Sequence, residues 1–566
     1  MPGPSGVMAS LYRILIDGQE LDPVQADFVH EIKIIDWLRL PDTCTLSVGY
    51  PAADEGNPYQ ALDDSPFVIG KPLEVRLGAT SDRVTQTLFK GEILTVEPMF
   101  EAGGASMVVR AYDKSHRLMR TRKQRVFIQK STPEIVKQIC GEHGLSARTG
   151  SSARHEFIMQ NNETDWEFIW RLAERLGFEL IVHGETATFE RPSETDPVEL
   201  RYPDDLHAFS PRITAVQQVK DVTVRGFDLK RKQTIVGRSQ AAQPLNEAGI
   251  TRKQAASAFE PAFLHIAAQS VRDKQEADYI AQGQFDKLVS AYLAAEGTCF
   301  GDPRIKAGAT LQISGVGQKY SGRYRIAKAV HTLTTGGYTT QFANSAGEHT
   351  LLGQSGGSGN GARRIDSIIV GIVTNNKDEE QMGRVKLKLP ALSDVETIWA
   401  PVLVPSAGNQ RGLMMLPVPG EQVMVAFENG DPSYPYVIGS VFNGRDKPGD
   451  ELAVEDGSFA LKSDKKALIA AREDITIRSD GGKLEIKIDK GEVKETVKQG
   501  YTGEFGGAWK LNSKQAITIE APTQSVTIKA QSITVEASTS LTLKGSIVDI
   551  KGSGAVNISG AMINIG

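Results

Sequence analysis

Apolar and polar residues largely alternate over the first 130 positions, as in "LEVRLGA" (73–79), "LFKGEILTVEPMF" (88–100) and "ASMVVRAYD" (105–113). Period-two alternation is the mark of half-buried β-strands. The period then changes. In "TPEIVKQICGEHGL" Ile135, Val136 and Ile139 have helical spacing, Thr132 and Pro133 read as N-cap and first helical residue, and Gly144 is placed to end the helix. A stronger helix follows in "NETDWEFIWRLAERLGFELIVHG". Thr164 stands three residues ahead of Glu167, as in a capping box; Trp166, Ile169, Trp170 and Ala173 share a face, and Gly177 stops the helix. Strand patterns resume from about 179 to 240. A further helical stretch runs through "VRDKQEADYIAQGQFDKLVSAYLAAEG" (271–297), and glycine-punctuated strands follow to about 342. The first 350 residues thus read as two β-rich lobes with helices between them.

Residues 353–362, "GQSGGSGNGA", have the composition of a flexible linker. "GQSGG" matches the G-x-S-x-G nucleophile elbow as a string. That motif needs a strand before it and a helix after it, and neither pattern flanks it here. Beyond the linker, "SIIVGIVTN", "GRVKLKLP", "IWAPVLVP", "GLMMLPV", "EQVMVAF" and "PYVIGSVF" give short strands within 365–443, the density of a small closed barrel of the OB type.

The C-terminal region is a repeat. Apolar residues stand in pairs with one residue between: Ile517 and Ile519, Val526 and Ile528, Ile533 and Val535, Leu541 and Leu543, Val548 and Ile550, Val556 and Ile558, Ile563 and Ile565. Residues two apart share one face of a strand, so each unit is one short strand and one turn. A ribbon of such strands exposes its apolar face and is not stable alone. Closure can come from one chain coiling into a solenoid, or from three chains wrapping into a triangular prism. The short repeat favours the prism without excluding a solenoid built from several repeats per turn. Unrelated strands of a sandwich are disfavoured by seven consecutive pairs with no helix between them.

Composition adds exclusions rather than chemistry. The chain has 566 residues and a formal net charge of −5, which suits several domains and suggests neither nucleic acid nor an anionic membrane as partner. No apolar run approaches the ~20 residues of a membrane-crossing helix. "MPGPSGVMAS" lacks the basic and apolar regions of a signal peptide. Cys44, Cys140 and Cys299 lie too far apart in sequence for a metal-ligand spacing or a disulfide framework. The nine histidines show no H-x-H or H-x-x-x-H spacing, which argues for structural or solvated roles. The basic "DLKRKQTIVGR" reads as a solvated hairpin or as a contact for another component, and the acidic "NKDEEQMG" as a polar turn. No paired carboxylates, phosphate loop or triad emerges. The expectation is no catalytic residue, no cofactor and no metal.

Several of these segments resemble one family together. "GRVKLKLP" followed by "WAPVLVPSAGNQRGLMMLPVPGEQVMVAFENGDPSYPYVIGSVFNG" resembles the OB domain of VgrG-type spike proteins, with Gly383, Arg384, Val385, Trp399, Gly412, Pro417, Gly420, Glu421, Val423, Phe427, Gly430, Asp431, Pro432, Pro435, Gly439 and Asn443 at matching positions. "NETDWEFIWRLAERLGF" and "AGATLQISGVGQKYSGRYRIAKAVH" look like the helix and second barrel of the phage tail-hub relatives, and the repeat resembles their triple-stranded prism. The hub segments "IKIIDWLRLPDTCTLSVGYP" and "SPFVIGKPLEVRLG" look more like the spikes of extracellular contractile injection systems than standard type VI proteins.

The resemblance implies a mainly β protein. Residues 1–10 would be a flexible N-terminus and 11–352 a tail-hub-like domain of two β-barrel lobes plus helices. A Gly/Ser linker at 353–364, an OB-fold barrel at 365–448 and an intertwined triple-stranded β-prism, a β-helix, at 449–566 would follow. It implies a homotrimer that adapts a six-fold tube to a three-fold spike, with tube and baseplate proteins as partners and cargo effectors as a further class. The particle would assemble in the bacterial cytoplasm and then act outside the cell or in the target envelope. The paired residues from Ile517 to Ile558 would form the trimer core. Ile563, Asn564, Ile565 and Gly566 would seat a PAAR-type tip protein. His349 is the last histidine, so the His-x-His iron apex of some phage spikes is not expected. A trimeric tail-associated hydrolase and an effector carrier are the competing functions.

Overall fold

The computed structural model describes residues 12–51, 59–78, 85–101, 104–216, 218–241, 245–256, 259, 262–267, 270–345, 365–452 and 458–565. The N-terminal 1–10, the 353–364 linker with its "GQSGG", His349 and Gly566 lie outside them. Two compact units divide the chain, Met1–Lys462 and Ser463–Gly566.

The first unit is organised by one eleven-stranded sheet. Its order is Leu206–Ile213, Leu293–Phe300, Gly337–Ala343, Lys328–Thr334, Val29–Trp37, Thr43–Pro51, Gly104–Asp113, Gln86–Glu101, Pro72–Leu77, Tyr12–Ile16 and Gln19–Glu20. The alternation read from the sequence is the burial pattern: along Gly104–Asp113 every second residue faces the core. The two expected lobes have separate cores. One gathers Ile32, Ile34, Leu46, Val75, Ile93 and Val109; the other gathers Leu311, Ile313, Tyr324, Ile326 and Phe342. They share a single sheet, because Lys328–Thr334 pairs antiparallel with Val29–Trp37, placing Val330 opposite Ile35 and His331 opposite Ile34.

Helices Thr132–Glu142 and Asp165–Leu176 pack Ile135, Ile139, Phe168, Ile169 and Leu172 into a third core. Thr164 and Glu167 form the predicted capping box and Gly177 ends the helix at φ 66°. In the earlier helix the cap is Ser131, not Thr132. Ser131 and Glu134 make the reciprocal bonds, and Thr132 and Pro133 occupy the first two helical positions, where no intrahelical N–H partner is needed. The third helix is shorter than its pattern suggested. Lys274–Ser290 is helical, but "LAAEG" belongs to the strand Leu293–Phe300, whose Leu293, Ala294 and Ala295 are buried in the sheet. This helix crosses Asp165–Leu176 at a glycine pair: a Cβ on Gly283 would lie 2.5 Å from the Gly177 Cα.

Residues 365–443 form the expected closed barrel. Gln422–Phe427 lies between Ile369–Asn375 and Pro435–Ser440, and Arg384–Leu389 pairs with Ile369–Asn375. Ala400–Pro401 pairs antiparallel with the start of Arg384–Leu389, and the Leu403 N–H donates to the Val437 carbonyl at 2.7 Å, closing the circle. "GLMMLPV" is not a strand. Only Arg411–Gly412 pairs, with Ala407–Gly408, and Leu413, Met414 and Met415 are exposed.

In the second unit no β-ladder joins the repeats among the described residues. The first member of each apolar pair from Ile517 to Ile558 is 50–57% exposed and the second 63–72%. A solenoid would pair these strands within the chain; here their backbone and apolar faces are left open. Among the described residues no helix is long and apolar enough to cross a membrane.

Candidate assembly site

The OB-type barrel is seated on the N-terminal region through polar groups rather than a shared apolar core. Arg175, in the last turn of its helix, donates from Nε to Glu276 at 3.0 Å and lies 3.7 Å from Asp431. Arg272 Nε donates to the Tyr434 hydroxyl at 3.1 Å, its Nη2 reaches the Phe157 carbonyl, and its guanidinium lies 4.8 Å from the Tyr434 ring centre. The Met159 N–H donates to Ser433 Oγ at 3.3 Å, and Ser270 Oγ donates to the Glu428 carbonyl at 3.0 Å. Asn429 at φ 50° and Gly430 at φ 73° turn the barrel segment into this contact. Burial raises the Tyr434 phenol well above its ordinary range, so it stays a neutral donor and acceptor. The sequence marked Gly430, Asp431, Pro432 and Pro435 but not the arginines that meet this turn. Those partners are more than 150 residues away, beyond any local pattern.

The two charge runs singled out above meet each other. "DLKRKQTIVGR" is a hairpin between Asp221–Asp228 and Gln233–Ser239, and its Lys230 pairs with Glu380 of "NKDEEQMG". The same acidic turn binds Arg384 through Asp378 at 2.7 Å. That contact, together with backbone N–H groups, holds the Asp378 carboxyl down at about 2.

Two clusters of acidic groups and histidine are brought together that no spacing announced. Glu142, His143 and Asp165 converge, but Asp165 is already paired with Lys123 at 2.7 Å and Arg125 at 2.5 Å, and Glu142 with Arg125. Asp36, Asp42 and His183 converge at the junction between the lobes, with Asp113 behind them donating no proton but accepting from the Asp42 N–H at 3.2 Å. All three carboxyls here are buried. Burial first, and then mutual repulsion, raises Asp42 well above the carboxylate range. Burial likewise raises Asp36, and it carries Asp113 to about 7. The cysteines are free and buried, and burial pushes Cys140 up to about 12, an inert thiol.

Comparison with known proteins defines the class first. Residues 369–442 match the injector OB domain of type VI secretion systems and phage baseplates. Residues 9–335, more than half of the chain, match the Alg8 N-terminal domain, and the chain belongs to that family. Among curated relatives it is 24% identical over 392 residues to the type VI secretion system spike protein VgrG1a of Pseudomonas aeruginosa, covering 61% of this chain and 58% of that one. It is 24% identical over 377 residues to VgrG3 of Vibrio cholerae, covering 58% and 35%. The chain spans about half the length of the curated relatives it matches. Among solved structures, the 43 kDa tail protein of prophage MuSo2 from Shewanella oneidensis aligns at 16% identity and TM-score 0.47, covering 59% of this chain and 98% of that one. The E. coli c3393 protein, a component of the type VI secretion system, aligns at 14% identity and TM-score 0.45, covering 73% and 96%.

Proposed function

We propose that the protein is a structural hub and spike of a contractile injection or secretion machine, working as a homotrimer rather than as an enzyme. The observation that carries this reading is the second unit. Its repeat segments leave backbone groups and a regular apolar face open in the single chain, and an open apolar face of this extent marks a surface that assembly covers. Two further copies supply both: Ile517, Ile519, Val526, Ile528, Ile533, Val535, Leu541, Leu543, Val548, Ile550, Val556 and Ile558 form the prism core, and the ladders run between chains. Side edges then disappear and the unit becomes a stiff rod with a polar exterior.

The remaining assignments belong to the same proposal. The spike begins near 449 and follows the OB barrel of 365–448. The N-terminal region meets the tube and baseplate, and the rod is driven into a target envelope. A PAAR-type tip protein seats on Ile563, Asn564, Ile565 and Gly566. Its support is Ile565, which at 92% is the most exposed large apolar side chain among the described residues. Light scattering of the purified full-length chain tests the reading. A mass of three chains is expected; a monomer or dimer overturns it.

A further inference from the structure

We propose that Asp36, Asp42 and His183 form a binding site for a divalent first-row transition-metal ion, of the zinc or manganese kind, that ties the first lobe to the helical region beside it. The three residues come from different places: Asp36 near the end of Val29–Trp37, Asp42 in the turn before Thr43–Pro51, and His183 at the end of Glu179–His183. One ligand atom from each lies within 4.8 Å of the others. Two carboxylate oxygens and an imidazole nitrogen are a donor set that such ions take.

The independent sign is an orphaned atom. Asp36 is 2% exposed; its Oδ2 meets no N–H or hydroxyl donor and no solvent, and the side chain that faces the Asp36 carboxyl is the carboxyl of Asp42. A buried polar oxygen left this way calls for a partner. Side-chain cations do not supply one: among the described residues no lysine, arginine or histidine forms an ion pair with Asp36, Asp42 or Asp113. That separates this cluster from Glu142, His143 and Asp165, whose negative charge Lys123 and Arg125 already answer.

The surroundings orient the ligands as a metal site requires. The Ala307 backbone lies against both the Asp36 carboxyl and the His183 ring, so it bears on two of the three ligands. The Trp37 N–H fixes Asp42 through Oδ1 at 3.2 Å. His183 is exposed and opens onto a cleft with Ile181, Arg304 and Lys306, which gives an ion its way in. Lys306 Nζ is engaged by the Thr87 carbonyl at 3.2 Å.

The test uses the full-length protein, stripped with a chelator and dialysed, then titrated with Zn2+ and with Mn2+ by calorimetry, with metal content and melting temperature measured alongside. One equivalent per chain is expected, with a rise in melting temperature. His183→Ala, at an exposed position, should match the stripped wild type in melting and lose at least about 100-fold in affinity. Asp36→Asn should lose the ion as well. Absence of saturable binding by either ion overturns the proposal. So does binding that survives both substitutions, and so does a cluster whose only response is a metal-independent change of melting with pH.

Discussion

Replacing Ile533 with aspartate is the sharpest test of the rod. Ile533 is 54% exposed in the single chain, so about half of the ~1.5–3 kcal/mol available from burying an isoleucine remains to be gained on assembly. Three copies meet in one layer of the proposed prism, so the lost apolar gain is about 3 kcal/mol per trimer. The carboxylates add more. Each buried ion costs several kcal/mol even after relaxation, and three like charges find no partner. The total exceeds about 10 kcal/mol per trimer, enough to abolish association at micromolar concentration. The assay is light scattering with thermal melting, and Thr534→Asp is the control. Thr534 lies between Ile533 and Val535 and so points to the opposite face. The expected result is loss of the trimer for Ile533→Asp and retention for Thr534→Asp. A trimeric Ile533→Asp variant with unchanged melting refutes the inward assignment, as does equal disruption by both.

Gly283→Ala should destabilise by about 1–3 kcal/mol in denaturant unfolding, because its methyl would meet the Gly177 backbone. Helix propensity alone predicts the opposite sign, about 1 kcal/mol of stabilisation. Burial lowers His331 from its ordinary 6.5 to about 4. The unfolded chain therefore takes up the proton first, and on the order of 3 kcal/mol of stability is lost as pH falls from 6.5 to 4. His331→Gln should flatten that part of the pH profile of melting. Arg272→Ala should cost about 2–4 kcal/mol by removing the Tyr434 and Phe157 contacts and leaving polar groups unpaired. Tyr434→Phe, which keeps the ring, should cost less in the same unfolding experiment.

Elements with local causes were legible in the sequence. The capping box of Thr164 and Glu167, the stop at Gly177 and the small barrel all rest on residues close together in the chain. Expectation and structure part where local signals are degenerate. Ser131 and Thr132 both carry hydroxyls that can cap, and Pro133 is tolerated at either of the first two helical positions. "LAAEG" has the composition of a helix, and tertiary burial makes it a strand. The apolar run of "GLMMLPV" pairs only at its start, Gly412 with Ala407, since Gly412 at φ 153° and Pro417 interrupt it. The pairing of Val330 with Ile35, the seat of Tyr434 on Arg272, and the meeting of Asp36 with His183 depend on contacts between distant segments. Single-residue patterns carry no trace of them.

The continuity of the eleven-stranded sheet has a mechanical consequence. Antiparallel hydrogen bonds lie perpendicular to their strands, so a pull along Val29–Trp37 and Lys328–Thr334 loads all their bonds at once in shear instead of peeling them one by one. Seven residue pairs, from Lys328 opposite Trp37 to Thr334 opposite Glu31, share that load. The two lobes therefore have no soft joint between them, and a thrust delivered to one is carried by the other.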